Sequence, residues 1–242
     1  MSVIERVATL MQQIGFQPRR FQLKDWWSWL HLLWAEMLGV WSRNRFKSVG
    51  LMLGMVLFCV FFVAPWEPWW LEMVVKWRAK PEMTVVFKAA ECLSEYGDFL
   101  GFNGILWLLM YGFAALSNSR LLRLVLLGSV LGTVLTGGMA NVFRPLVGRA
   151  RPNAKVEPGF YGPQLRARYH SFPSGHTATA FGGAVPVVVA LPQVGVPMVL
   201  VAGGIAWSRL FNRAHHPSDV LFSIALALLV GCPAGLAVRR AA

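Results

Sequence analysis

Five stretches of this chain, residues 48–66, 99–119, 124–143, 169–208 and 220–238, contain no Asp, Glu, Lys or Arg. A bilayer is crossed by about 20 apolar residues rising roughly 1.5 Å each, so every one of these windows is long enough to span it. The fourth window is twice that length. It is broken by Leu191-Pro-Gln-Val-Gly-Val-Pro197, a proline and glycine cluster that reads as a tight turn between spans at 176–190 and 196–211. The expected fold class is therefore all-α, a polytopic membrane protein with six transmembrane helices. Composition agrees: 56% of the 242 residues are hydrophobic and 14% charged. Soluble domains carry roughly a quarter charged residues, and disorder needs low hydrophobicity, so both classes are excluded.

The net charge of +12 is distributed in blocks that set an orientation. Residues 1–47 carry seven Lys and Arg against three acids, the turn after the second span carries Arg120 and Arg123, and the chain ends on Arg239 and Arg240. These segments are expected on the cytoplasmic side. Residues 64–98 carry four basic against six acidic residues, which suits the outer side. Both termini are then cytoplasmic, in the inner (plasma) membrane of a bacterial-type cell. The loop 144–168, with six basic residues and one acid, faces outward in this topology and violates the bias. A segment that defies the rule needs a functional reason.

Residues 1–47 are expected to form a separate cytoplasmic segment, and 48–242 the six-helix domain. Within the former, Trp26, Leu30, Leu33, Trp34, Met37 and Trp41 share one helical stripe, which predicts an amphipathic helix lying in the membrane interface. The competing reading is an apolar helix packed on the bundle. Trp66, Trp69 and Trp70 read as an aromatic belt at the outer end of the first span. The opening residues 1–10 include Glu5 and lack the basic, apolar and small-residue order of a cleaved signal peptide. Cys59, Cys92 and Cys232 form neither a spaced disulfide set nor a CxxC motif.

Polar residues at membrane depth are functional candidates by default. Three clusters stand at the outer ends of the third to sixth spans: Arg144 with Arg151-Pro152, then Pro173-Ser174-Gly175-His176, then Ser208-Arg209 followed by His215 and Asp219. Guanidinium groups suit bidentate recognition of phosphate. A Pro-Ser-Gly step opening a helix leaves backbone N–H groups free for an anion. His215 and Asp219 lie four residues apart, so on one helix the carboxylate can fix the imidazole tautomer. An oriented histidine beside a phosphate cradle can attack phosphorus, and a second can protonate the departing oxygen. Around these clusters, His170 and His216 read as rim or supporting groups, and Arg149, Lys155, Arg166 and Arg168 as solvated loop charges, with Arg166 and Arg168 open to the alternative of meeting an anionic headgroup.

Arg144, six residues, Arg151-Pro152; Pro173-Ser174-Gly175-His176; Ser208-Arg209, five residues, His215, three residues, Asp219: this order resembles the type 2 phosphatidic acid phosphatase superfamily, which also contains vanadium haloperoxidases. Arg144 stands where Lys is common. The resemblance runs from about the third span to the end, and it implies a metal-independent lipid phosphatase of the membrane branch, with no cofactor. It assigns His215 as nucleophile through a phosphohistidine, Asp219 as the group that orients it, and His176 as general acid and then base. It gives Arg144, Arg151, Arg209, Ser174 and the Gly175 N–H the phosphoryl oxygens. The implied partners are a lipid phosphate or diphosphate and the surrounding membrane lipids, with the active site on the outer, periplasmic face. Phosphatidic acid, phosphatidylglycerol phosphate, undecaprenyl diphosphate and lipid A 1-phosphate are all substrates within the family. Two alternatives use the same cradle, a lipid phosphotransferase and a non-catalytic lipid-phosphate carrier. Nucleic acid binding is excluded because the basic residues are divided between opposite faces.

Overall fold

A computed structural model describes residues 23–97 and 99–242. The signal-peptide reading of residues 1–10 and the first half of the N-terminal segment lie outside the described residues. Among the described residues nine α-helices follow one another: α1 Leu23–Arg43, α2 Arg45–Phe58, α3 Glu67–Arg78, α4 Thr84–Tyr96, α5 Ile105–Leu116, α6 Arg120–Val147, α7 Gly175–Ala190, α8 Pro192–Phe211 and α9 Pro217–Ala241. A π turn at Cys59–Val63 and a 3-10 turn at Ala64–Trp66 carry α2 into α3. Among the described residues the sole β pairing is an isolated bridge between Arg149 and Phe160.

Each uncharged window contains helix. Four helical segments among the described residues are long and apolar enough to cross a membrane: Arg45–Arg78, Arg120–Val147, Pro192–Phe211 and Pro217–Ala241. A fifth arises if Pro81–Tyr96 and Leu100–Leu116, bent by 67°, are taken as one broken span. The 16-residue α7 is shorter than a full crossing. Its place explains this: α7 is the central helix, packed against α6, α8 and α9 and buried along nearly its whole length. The turn expected over residues 191–197 is tighter than its composition suggests. Leu191 alone separates α7 from α8, with Pro192 opening the new helix, where a missing N–H costs nothing.

The core is built by small residues that let helices approach. A Cβ placed on Gly182 would collide with the Thr136 hydroxyl and the Gly132 carbonyl, so α6 and α7 meet backbone to backbone. The contact is fastened by Thr136 Oγ1 donating to the Ala178 carbonyl at 2.8 Å and Ser129 Oγ to the Gly183 carbonyl at 2.9 Å. Small residues and hydroxyl donors are the usual means of helix association where the surrounding lipid is as apolar as the side chains. Leu124, Val125, Val185, Ile205, Ala227 and Val238 fill the remaining space. In contrast, α2 carries Val49, Leu51 and Leu53, and the π turn after it Phe61 and Phe62, into the exterior, the pattern of a lipid-facing segment.

The helix α1 contacts α9. It buries Leu33, Met37 and Val40, and Trp41 Nε1 donates to the Leu229 carbonyl at 2.9 Å. Trp27, Leu32, Trp34 and Leu38 remain exposed on its other side. Of the predicted stripe, then, Leu33 and Met37 serve packing while Trp34 faces outward. Trp66 and Trp69 are likewise exposed, whereas Trp70 lies 5.8 Å from Phe211 in an edge contact and is a packing residue.

Gly182→Val should lower stability by about 1–3 kcal/mol through overpacking of the α6–α7 contact. Gly138→Ala on the partner helix α6, where an added Cβ meets nothing within 4 Å, should be close to neutral. Thermal unfolding of the two variants in detergent checks this; equal effects would refute it.

Candidate active site

The fold gathers the three polar clusters at one end of the bundle. Arg144 lies in the last turn of α6 and Arg209 in the last turn of α8. Ser174 caps α7, Gly175 and His176 begin it, and Asp219 sits in the first turn of α9. Between α6 and α7 the chain from 148 to 174 folds back: Ser171 N–H donates to the Arg149 carbonyl at 3.0 Å and Arg151 N–H to the Arg168 carbonyl at 2.9 Å. Ser174 N–H donates to the Asp219 carbonyl at 3.3 Å, joining the starts of α7 and α9.

Arg144 reaches across the opening of α7. Its Nε donates to the Pro173 carbonyl at 3.1 Å and its Nη1 to Asn141 Oδ1 at 3.2 Å. A Cβ on Gly175 would fall onto the Arg144 guanidinium, which is why only glycine permits this approach. The buried Ser174 hydroxyl accepts from Thr177 Oγ1 at 3.0 Å and makes no cap bond to the helix backbone. First-turn N–H groups at the start of α7 are therefore open to an anion. Arg209 donates through Nη1 to Ser94 Oγ on α4, and Asn212 Nδ2 donates to the Ala90 carbonyl at 3.1 Å. The Nε atoms of Arg151 and Arg209 are buried without a protein partner. An unspent guanidinium donor in a buried position is costly unless an anion takes it up.

His215 is 1% exposed. Its Nδ1 lies 2.6 Å from the Ser171 carbonyl oxygen. A carbonyl can only accept, so Nδ1 carries the proton and Nε2 keeps its lone pair. Burial, and then the guanidiniums of Arg209, Arg151 and Arg144, hold the imidazole pKa well below its ordinary value, against the pull of the Ser171 carbonyl. The group is a neutral imidazole surrounded by positive charge.

Asp219 lies in the first turn of α9, but His215 precedes that helix, which begins at Pro217, so the two do not share a helical turn and the geometry is less direct than their spacing suggests. Asp219 Oδ2 is 3.9 Å from His215 Nδ1. That oxygen accepts from Ser171 Oγ at 2.6 Å and from the His216 N–H at 2.8 Å, while Oδ1 accepts from Arg149 Nη1 at 2.5 Å. Ser171 thus bridges the pair, its hydroxyl on the carboxylate and its carbonyl on the imidazole.

Arg149 is not a solvated loop charge. It is buried, and its Nη2 is 2.6 Å from Glu67 Oε2 at the start of α3. Glu67 Oε1 in turn accepts from the N–H and hydroxyl of Ser218, at 3.0 and 2.5 Å. His216 caps α9 and places Nε2 3.2 Å from the Ala150 carbonyl oxygen, in keeping with a supporting role. Arg166 and Arg168 are exposed, and His170 Nε2 is 2.8 Å from the Gln164 carbonyl oxygen. Sequence inspection passes over Glu67, Ser94 and Ser171 and misreads Arg149. Glu67 had a usable signal, an acid at the boundary of a span amid three tryptophans; Ser94 had none.

Residues 124–240 match the family model of the PAP2 superfamily. The chain is similar to a lipid A 1-phosphatase of Porphyromonas gingivalis, 34% identical over 126 residues, which is 50% of this chain and 26% of that protein. A lipid A 1-phosphatase of Rhizobium etli is 28% identical over 153 residues, 55% of this chain and 66% of that one. The chain thus matches less than two thirds of either relative's length. Its fold is like that of a PAP2-type phosphatidylglycerolphosphate phosphatase from Bacillus subtilis, with TM-score 0.50 and 17% identity, covering 77% of this chain and 92% of that structure.

A histidine kept neutral in the folded state makes stability fall with acid. Below about pH 6.5 the unfolded chain binds a proton that buried His215 does not, at up to about 1.4 kcal/mol per pH unit. His216, also lowered, by burial and by Arg149, adds to this. The melting temperature should drop from pH 7 to 5, and less steeply in His215→Asn. Equal slopes for the two proteins would contradict the assignment.

Proposed function

We propose that this protein is an integral-membrane, metal-independent lipid phosphatase. It removes the terminal phosphate of a lipid phosphate or diphosphate at the outer face of the membrane, through a phosphohistidine on His215. In this reading residues 48–242 are the functional unit, its helices make six crossings, both termini are cytoplasmic and α1 lies along the inner interface. The observation that carries the proposal is a neutral, buried imidazole ringed by Arg144, Arg151 and Arg209 beside the start of α7. That is a nucleophile placed in a cradle for a phosphoryl group.

The residues then divide the work. Arg144, Arg151 and Arg209, Ser174 and the Gly175 N–H bind the non-bridging oxygens and spread the charge of the in-line transition state. His215 Nε2 forms a bond to phosphorus as the bond to the lipid oxygen breaks, and His176 gives that oxygen its proton. The Ser171 carbonyl holds the Nδ1 proton, and Asp219 opposes the positive charge that the ring acquires. Water, deprotonated by His176, then attacks phosphorus, releasing inorganic phosphate and restoring both histidines. The names of the two bacterial relatives support the 1-phosphate of lipid A as the preferred substrate.

Purified protein should release phosphate from lipid A with unchanged rate in excess chelator, and faster than from phosphatidic acid, phosphatidylglycerol phosphate or undecaprenyl diphosphate. His215→Ala should abolish release. Loss of activity on chelation, or activity retained by His215→Ala, would refute the mechanism, and a different rank order would refute the substrate. Gly175→Ala, by displacing Arg144, should lower kcat/KM about a hundredfold; a change below about threefold would mean that this contact does not shape the cradle.

A further inference from the structure

We propose that Glu67 and Arg149 are positioning residues for this reaction, a pair that sets the negative field Asp219 presents to His215. The inference rests on the phosphatase reading above. It starts from three charges in a row, Glu67, Arg149 and Asp219, with exposures of 5, 8 and 0%. Arg149 holds one carboxylate through each terminal nitrogen, Asp219 Oδ1 at 2.5 Å and Glu67 Oε2 at 2.6 Å. The order of charge is minus, plus, minus.

That order matters because of what faces His215. Arg144 comes from α6, Arg151 from the loop beyond it and Arg209 from α8, with Asp219 as the acid and the Ser171 carbonyl as the hydrogen-bond acceptor. Arg149 by itself would cancel Asp219, leaving the imidazole with three cations and no net counter-charge. Glu67 cancels Arg149 instead and returns one net negative charge to the triad. As Nε2 takes the phosphoryl group the ring becomes cationic, and a charge placed in a water-poor site stabilises it more than in solvent. The other neighbours of Glu67 are the Ser218 N–H and hydroxyl, and His216, whose Nδ1 is 3.7 Å away.

A purely structural role is the competing explanation, since Glu67 also pins the first turn of α9 through Ser218. Glu67→Gln separates the two: the amide oxygen can still accept from Ser218, but the charge is gone. In the full-length protein we expect Glu67→Gln to lower kcat about tenfold, with KM within about twofold, and to move the His215 titration, followed by 15N-histidine NMR and assigned with His215→Asn, to lower pH. Glu67→Asp, which keeps the charge, should rescue both. Removing the cation as well, in Glu67→Gln/Arg149→Gln, should raise kcat above that of Glu67→Gln alone, because Asp219 is then no longer cancelled.

Wild-type protein that hydrolyses no lipid phosphate would sink the proposed function, and the His215 titration in the same variants would still decide this inference. If Glu67→Gln leaves kcat and the His215 titration unchanged, or if Glu67→Asp behaves like Glu67→Gln, or if the double variant is no better than the single, the pair is structural and the inference is overturned.

Discussion

Asp219 is the point on which the site end of the molecule closes. Its two oxygens accept from Arg149, Ser171 and the His216 N–H, and its carbonyl accepts from Ser174. Through these bonds one carboxylate fixes the loop after α6, the residue that orients His215, the start of α9 and the cap of α7. A fully buried carboxylate would be prohibitive without such partners. The loop between α6 and α7 is therefore held by the same group that faces the imidazole, so the backbone of the site and its electrostatics cannot vary independently.

The second constraint is the lipid-like interior behind this end. Close contact of α6 with α7, through Gly132, Thr136 and Gly182, packs the two backbones together, and at the start of α7 Ser174, Gly175 and Thr177 are buried while His176 is half-buried. Backbone N–H groups at such a terminus and guanidiniums with unspent donors gain strength from the low dielectric around them. The basic excess of loop 144–168 is thus partly resolved into named work. Arg149 neutralises carboxylates, while Arg144 and Arg151 stand beside His215.

Much of this was legible in the sequence, and for definite reasons. Charge-free windows locate helices because burial of an ionised side chain in hydrocarbon is so unfavourable, and every window contains at least one helix in the structure. The site motifs were legible because their spacing places groups at helix ends. The turn at Leu191 came out shorter than expected because proline opens a helix as readily as it ends one. Tertiary pairing was not legible. Glu67 meets Arg149 across 82 positions, and Arg209 meets Ser94 across 115, separations at which no local pattern carries information. Arg149 was misread for the same reason: a loop arginine in a basic segment looks solvated until its two carboxylates arrive from other helices.

The central claim is that His215 carries the phosphoryl group. The direct measurement is rapid quenching of the purified protein during turnover of a 32P-labelled lipid phosphate, followed by assay for protein-bound label. Label that is stable to alkali, lost in mild acid, located on the peptide containing His215 and missing from His215→Ala is the predicted result. Turnover with no bound label at any quench time, or label that persists in the His215→Ala protein, would contradict it.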